Sequence, residues 1–278
     1  VKFSLPITLI GAGAVGRSIA LALFCRGVKL SGIYSRNGRT AKNLAKKTGA
    51  KNFGRLTILN NVEGVILIAV PDGSIPDVAV ELVKKQRSFN NVIVMHTSGA
   101  LASDELSLLK KKGAAIGSLH PLQTFPRKGI SSFDNIWCAI EGDPPAVKAA
   151  KRLAAVLESH SFVISKEAKV LYHTAGVFAS NYVITLLSIV DQIAREAQLP
   201  GKKIWDIYRP LITTSIANAI AQSPAEALTG PIARGDVETV TKHLQALSTK
   251  KLNHLVPLYA ALGIETARLA KKMKPFAG

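Results

Sequence analysis

The apolar run Ile7-Thr8-Leu9-Ile10 leads without interruption into Gly11-Ala12-Gly13-Ala14-Val15-Gly16, and a helix-compatible stretch follows to Cys25. A strand that ends in G-x-G-x-x-G and opens into a helix is the first βα turn of a nucleotide-binding α/β sheet. Each glycine answers a separate steric demand: the first makes the tight turn, the second lets a pyrophosphate approach the backbone, and the third allows close helix–strand packing. The free N–H groups and positive dipole end of the helix favour phosphate there. Gly11, Gly13, Ala14, Val15 and Gly16 are therefore expected to contact a dinucleotide.

The alternation that starts at this turn continues. Apolar runs at Ile7-Ile10, Leu30-Tyr34, Gly64-Val70, Val92-His96, Ala115-Leu119 and Trp137-Ile140 predict strands. Helical patterns at Val15-Cys25, Thr40-Thr48, Ile75-Gln86 and Ser103-Lys112 separate them, and a helix at Ala146-Glu158 with a short strand at Phe162-Ile164 closes the series. Repeated βα units imply a mostly parallel, doubly wound sheet of the Rossmann type. Beyond Ser165 the strand pattern ends. A long helix over residues 167–198, stopped by Leu199-Pro200-Gly201, begins an all-α remainder, with further helices expected at Lys203-Ala221, Ser223-Leu228, Val237-Leu247 and Leu255-Lys272. The expected organisation is a dinucleotide-binding domain over 1–165 and a helical domain over 166–278.

The end of the second strand distinguishes between dinucleotides. NAD-binding domains place an acid there on the ribose hydroxyls, yet this chain has no acidic residue before Glu63. Ser35, Arg36, Asn37 and Arg39 stand in that position, and guanidinium forks match the 2′-phosphate of NADP(H). Two more loops should line the crevice at the carboxyl ends of the strands: Val70-Pro71-Asp72 and the segment around Ser98. Asp72 could equally cap the following helix, and Ser98 could simply open a turn.

Charge and cysteine content narrow the remaining classes. The net charge of +18 attracts anions of every kind, but the basic residues are scattered pairs with one triplet, Lys110 to Lys112, without a nucleic-acid-binding motif. No nucleic acid partner is expected. Cys25 and Cys138 share no metal or disulfide spacing, so no metal site is expected and a reducing, cytoplasmic setting is. The uncharged stretch from Val170 to Val190 is about as long as a membrane span, but His173, Thr174, Ser180, Asn181 and Thr185 within it favour a helix of a soluble domain.

Reductive chemistry needs a proton donor or acceptor and a substrate anchor beside the cofactor. His120 follows an apolar strand and precedes Pro121. On the long helix, 100° per residue gathers Lys169, His173, Gly176 and Ser180 within about 60°, with Asn181 at the edge of that face. Asp236 is placed to cap the helix from Val237, and the preceding Arg234 could grip a carboxylate.

The runs Gly11 to Gly16, Gly117 to Phe125, Tyr172 to Tyr182 and Leu228 to Pro231 together resemble the two-domain Rossmann-like proteins whose helical C-terminal domain is of unknown function. More distantly the layout is similar to the β-hydroxyacid dehydrogenase, pyrroline-5-carboxylate reductase and ketopantoate reductase group. That resemblance implies dimerisation through the helical domain. It also implies a catalytic Lys at position 169 followed four residues later by Asn, where this chain has His173. The expected function is an NADP(H)-dependent oxidoreductase acting on a carbonyl or imine, or on the corresponding alcohol or amine, of a small carboxylate-bearing metabolite. In it Lys169 or His173 would be the acid/base, His120 and Asn181 would orient the substrate, and Ser180 and Arg234 would bind it. A non-catalytic NADP(H) sensor and a nucleic-acid-associated basic protein are the alternatives.

Overall fold

A computed structural model describes residues 3–249 and 251–272. Two compact units are distinguished within it, one ending at Val183 and the other starting at Ile184.

The first unit is built on strands β1 (Ile7–Ile10), β2 (Leu30–Tyr34), β3 (Asn52–Gly54), β4 (Val65–Ile68), β5 (Ile93–His96), β6 (Ala115–Pro121), β7 (Trp137–Gly142) and β8 (His160–Val163). They form one sheet in the order β3-β2-β1-β4-β5-β6-β7-β8. Every adjacent pair is parallel except β6 with β7, where His120 lies opposite Ala139. The strand order reverses between β1 and β4, and their carboxyl ends splay into a crevice there. Two features depart from the sequence expectation. Asn52-Phe53-Gly54 is too short and too polar to show a strand pattern, yet it pairs with β2. β6 continues through Pro121, so His120 sits inside the strand rather than beyond it.

Helices α1 (Ala14–Cys25), α2 (Gly38–Thr48) and α5 (Pro144–Val156) cover one face of the sheet, while α3 (Ile75–Lys85) and the short α4 (Ser107–Lys110) cover the other. The period-two alternation of the strands makes this possible: Ile7 and Leu9 of β1 enter the first core, and Ile10 enters the second. The helix ends follow from local chemistry. Asn37 Oδ1 accepts the Arg39 N–H at 3.0 Å to start α2, and Gly49 ends it in the left-handed conformation.

A helical run covers Lys169–Glu196, as α6 (Lys169–Val177), a π-helical turn at Phe178–Tyr182 and α7 (Val183–Glu196). The wider turn breaks the 100° phase on which the sequence expectation for Ser180 and Asn181 rested. By length and composition this run could cross a membrane, and only 6% of its most apolar window is buried.

In the second unit, α8 (Ile204–Ala221), α9 (Pro231–Arg234), α10 (Val237–Leu247) and α11 (Val256–Lys271) follow. The expected helix at Ser223-Leu228 is instead a turn. Asp236 caps α10, accepting the Thr239 N–H at 3.0 Å. The buried core of this unit is small, formed by Leu247, Leu252 and Leu255 with Ile189, Val256 and Tyr259 against it.

Candidate active site

The glycine loop has the stereochemistry its sequence implies. Gly11 has φ +110°, and a Cβ there would stand 2.1 Å from the Ala69 carbonyl oxygen. At Gly16 a Cβ would stand 2.0 Å from the Gly11 oxygen, so this residue sets how closely α1 packs on the turn. Gly13 has open space where its side chain would be. The N-terminus of α1 has neither a side-chain cap nor an acid in its first turn. An anion would meet unpartnered donors and no competing carboxylate.

A cavity of about 700 Å³ opens from this loop, lined by Gly11, Ala12 and Gly13, by Ser35, Arg36, Asn37 and Thr40, and by Val70 and Pro71, among others. Its volume and position suit the adenosine half of a dinucleotide. Arg55 and Thr57 also line it. Sequence reasoning missed Arg55 because it follows β3, the strand that showed no pattern. The stem of Arg55 crosses Gly38, where a Cβ would come within 3.4 Å of Arg55 Cγ. Arg39 does not line the cavity. The Ser35 hydroxyl donates to the Asn37 carbonyl at 2.6 Å and lies 2.9 Å from Thr40 Oγ1, so it shapes the loop.

A second group of polar side chains gathers at the carboxyl ends of β4, β5 and β6. Ser98 Oγ donates to Asp72 Oδ2 at 2.7 Å and accepts the Leu101 N–H at 3.0 Å. Asp72 thus joins two crevice loops and makes no cap for α3. Lys169, at the start of α6, has no exposed surface. Its Nζ donates to the Ser98 carbonyl at 3.1 Å and to Ser118 Oγ at 2.8 Å. Behind it, Ser118 Oγ donates to Glu141 Oε2 at 3.3 Å, and Ser103 donates to the same carboxylate through Oγ at 2.7 Å and N at 2.8 Å. Burial lowers the Lys169 pKa to about 8, against the opposing pull of Glu141 and Asp72. Glu141 was not anticipated; it looks like an ordinary strand residue, and only the antiparallel pairing of β7 with β6 brings it under Ser118.

Three histidines lie near this cluster with different freedoms. His96 is wholly buried, its Nε2 3.0 Å from the Ala102 carbonyl and its Nδ1 accepting the Ser98 N–H at 3.2 Å. With both nitrogens engaged, it holds the loop. His120 uses only Nδ1, at 2.8 Å from the Tyr172 hydroxyl. His173 packs beside it, with ring centroids 5.9 Å apart. Both rings lean on Gly99, where a Cβ would be 2.7 Å from His120 Nε2 and 2.6 Å from His173 Cδ2. Burial, followed by the charge of Lys169 and electrostatic interaction with His173, lowers the His120 pKa to about 4, so its imidazole is neutral at physiological pH.

The structure therefore brings Asp72, Ser98, His120, Lys169 and His173 together. Gly176 faces Leu122, whose Cδ1 would be 3.5 Å from an added Cβ. Ser180 and the exposed Asn181 sit in the π-helical turn. Arg234 belongs to the second unit, exposed at the end of α9.

Comparison with known proteins agrees with this architecture. Residues 2–121 match the Rossmann-like domain, and residues 136–266 match a domain of unknown function, DUF2520. The chain thus carries a Rossmann-like domain followed by a DUF2520 domain. No curated protein sequence matches it. Among solved structures it is similar to a protein from Bacteroides fragilis described as a candidate NADP oxidoreductase, with 24% identity and a TM-score of 0.79 over 95% of this chain and 98% of that one. A reductive aminase from Aspergillus terreus, in complex with NADPH4, cyclohexanone and allyl amine, gives 13% identity and a TM-score of 0.69 over 98% and 100% of the two chains. A pyrroline-5-carboxylate reductase from Coxiella burnetii gives 17% and 0.60, again over 98% and 100%. At these identities the likeness is one of fold.

Proposed function

We propose that this protein is an NADP(H)-dependent oxidoreductase that interconverts the carbonyl or imine of a small metabolite with its alcohol or amine. The observation that carries the reading is the pairing of an open glycine loop with Arg36 and Arg55 on one cavity wall. Among the described residues neither guanidinium has an ion-pair partner. The first turn of α1 would hold the pyrophosphate, and Arg36 with Arg55 would hold the 2′-phosphate. The reduced nicotinamide supplies the hydride. The imidazoles of His120 and His173 meet at Gly99 and would face the substrate, and wholly buried Lys169 fixes the Ser98 and Ser118 segments beside them. The reductases of similar fold, one on a pyrroline and one with a ketone and an amine bound, support a C=O or C=N substrate.

The test is calorimetric titration with NADPH and NADH, followed by a screen of carbonyl and imine metabolites. The Arg36→Ala/Arg55→Ala variant is expected to bind NADPH about 100-fold more weakly, consistent with two charge-assisted contacts, and to bind NADH as the parent does. Equal losses for both dinucleotides would remove the 2′-phosphate assignment. Failure to bind either would remove the function.

The helical unit is proposed to pair with a second copy of the chain. Ile184, Leu211, Ile216, Ile220, Val237 and Ile264 are all exposed around a small buried core, more apolar surface than a soluble monomer ordinarily leaves open. Light scattering should give twice the chain mass without detergent; a monomer would reject the pairing.

A further inference from the structure

Resting on the reading of the site as a reductase, we propose that Tyr172 and His120 form a proton relay. The phenol gives its proton to Nδ1 of His120 while Nε2–H gives its own to the substrate oxygen or nitrogen.

The relay is set by a single hydrogen bond whose direction follows from chemistry. The Tyr172 oxygen and His120 Nδ1 are 2.8 Å apart. A phenol is a good donor and a weak acceptor, whereas the unprotonated nitrogen of a neutral imidazole is a good acceptor. The favoured arrangement is O–H···Nδ1, which leaves the ring proton on Nε2. No described residue accepts that proton, and Nε2 is not sealed from solvent. It is directed past Gly99, where any side chain would collide with it.

Packing holds the pair in place. The Tyr172 ring stands edge-on to His120 at 5.5 Å and to Phe162 at 5.8 Å. The surroundings keep both groups in the forms required. Lys169 and His173 oppose a positive charge on His120, more than Asp72 favours it. Burial raises the Tyr172 pKa to about 12, so the phenol keeps its proton until it is drawn off.

The step balances. Hydride from the reduced nicotinamide forms the new C–H bond, and the C=O or C=N π pair moves onto the heteroatom. That atom takes the proton from Nε2 as Nδ1 takes the one from Tyr172. His120 remains neutral throughout and changes tautomer, and the negative charge passes to the phenolate; once the product leaves, water protonates Nε2 as the Nδ1 proton returns to the phenolate, which restores both groups and releases hydroxide. An alkoxide or amide anion is far more basic than a phenolate, so the transfer runs downhill. A histidine acting alone would have to become an imidazolate, which the phenol avoids. His120 is in this view the catalytic residue and Tyr172 the group that fixes and resupplies its proton.

Nitrogen-15 NMR of the full chain without substrate tests the tautomer, with the His120 signals assigned by their loss in His120→Gln. We expect a neutral His120 at pH 7 with the proton on Nε2, and a shift towards mixed tautomers in Tyr172→Phe, which retains the ring and its packing. A charged ring, or a proton on Nδ1, overturns the relay whether or not the chain proves to be a reductase. In the second measurement, NADPH oxidation with 1-pyrroline as probe, Tyr172→Phe should lower kcat about 100-fold while KM stays within a factor of three. Unchanged kcat in a variant with an altered tautomer also overturns it. If the parent chain binds no dinucleotide, the function fails, and the NMR result still decides the hydrogen bond.

Discussion

The cavity at the glycine loop and the histidine–lysine cluster sit on the same sheet but are made in opposite ways. The cavity is built largely from backbone: Gly11 and Gly16 act through the side chains they lack, and α1 acts through its free N–H groups. The cluster is built from side chains, and Lys169, Ser98, Ser118 and Glu141 meet across separations of up to 71 residues. A backbone site tolerates changes that keep its conformation. A side-chain network loses its balance when one partner is removed, because each remaining polar group is left buried without compensation.

Substitutions in the glycine loop break this contrast most sharply. Gly13→Glu has room for its side chain but places a carboxylate where a pyrophosphate would lie. We expect NADPH affinity to fall by about 1,000-fold with a melting temperature close to that of the parent. Gly16→Ala, by contrast, would strike the Gly11 oxygen and should fail mainly through stability.

The side-chain site should declare itself through pH. His96 and His120 have folded-state pKa values of about 4, below the ordinary 6.5. Between those values the unfolded chain binds more protons than the native one. Stability is therefore fully present above pH 6.5 and declines as the pH falls towards 4. For wholly buried His96 the loss is of the order of 3 kcal/mol. Chemical denaturation at pH 7 and pH 5 captures about 2 kcal/mol of it, and a flat profile would show that these rings titrate in the fold as they do in the unfolded chain. The smallest effect is expected at Arg39: outside the cavity, Arg39→Ala should alter NADPH affinity less than threefold, and a tenfold loss would return it to the phosphate site.

The same contrast explains what the sequence revealed. A G-x-G-x-x-G turn after a strand is contiguous, so its residues and their roles are written in order. The acid-free segment ending β2 is also contiguous, and Arg36 could be read from it. Arg55 could not, because β3 has three residues with no alternation and its place beside β2 is decided by pairing. Glu141 was hidden for a similar reason: only the direction of β7 puts it beneath Ser118. On the long helix, regular phase correctly brought Lys169 and His173 together, but the π-helical turn ended that phase before Ser180 and Asn181.

The buried position of Lys169 also has a consequence for the order of assembly. Its ammonium can be accommodated only after β5 and β6 have presented the Ser98 carbonyl and the Ser118 hydroxyl, and after β7 has supplied Glu141. Until then, water is its better solvent. Docking of α6 is thus expected late in folding: the helix can form early from local interactions, but its first residue commits to the sheet only when β7 is in place.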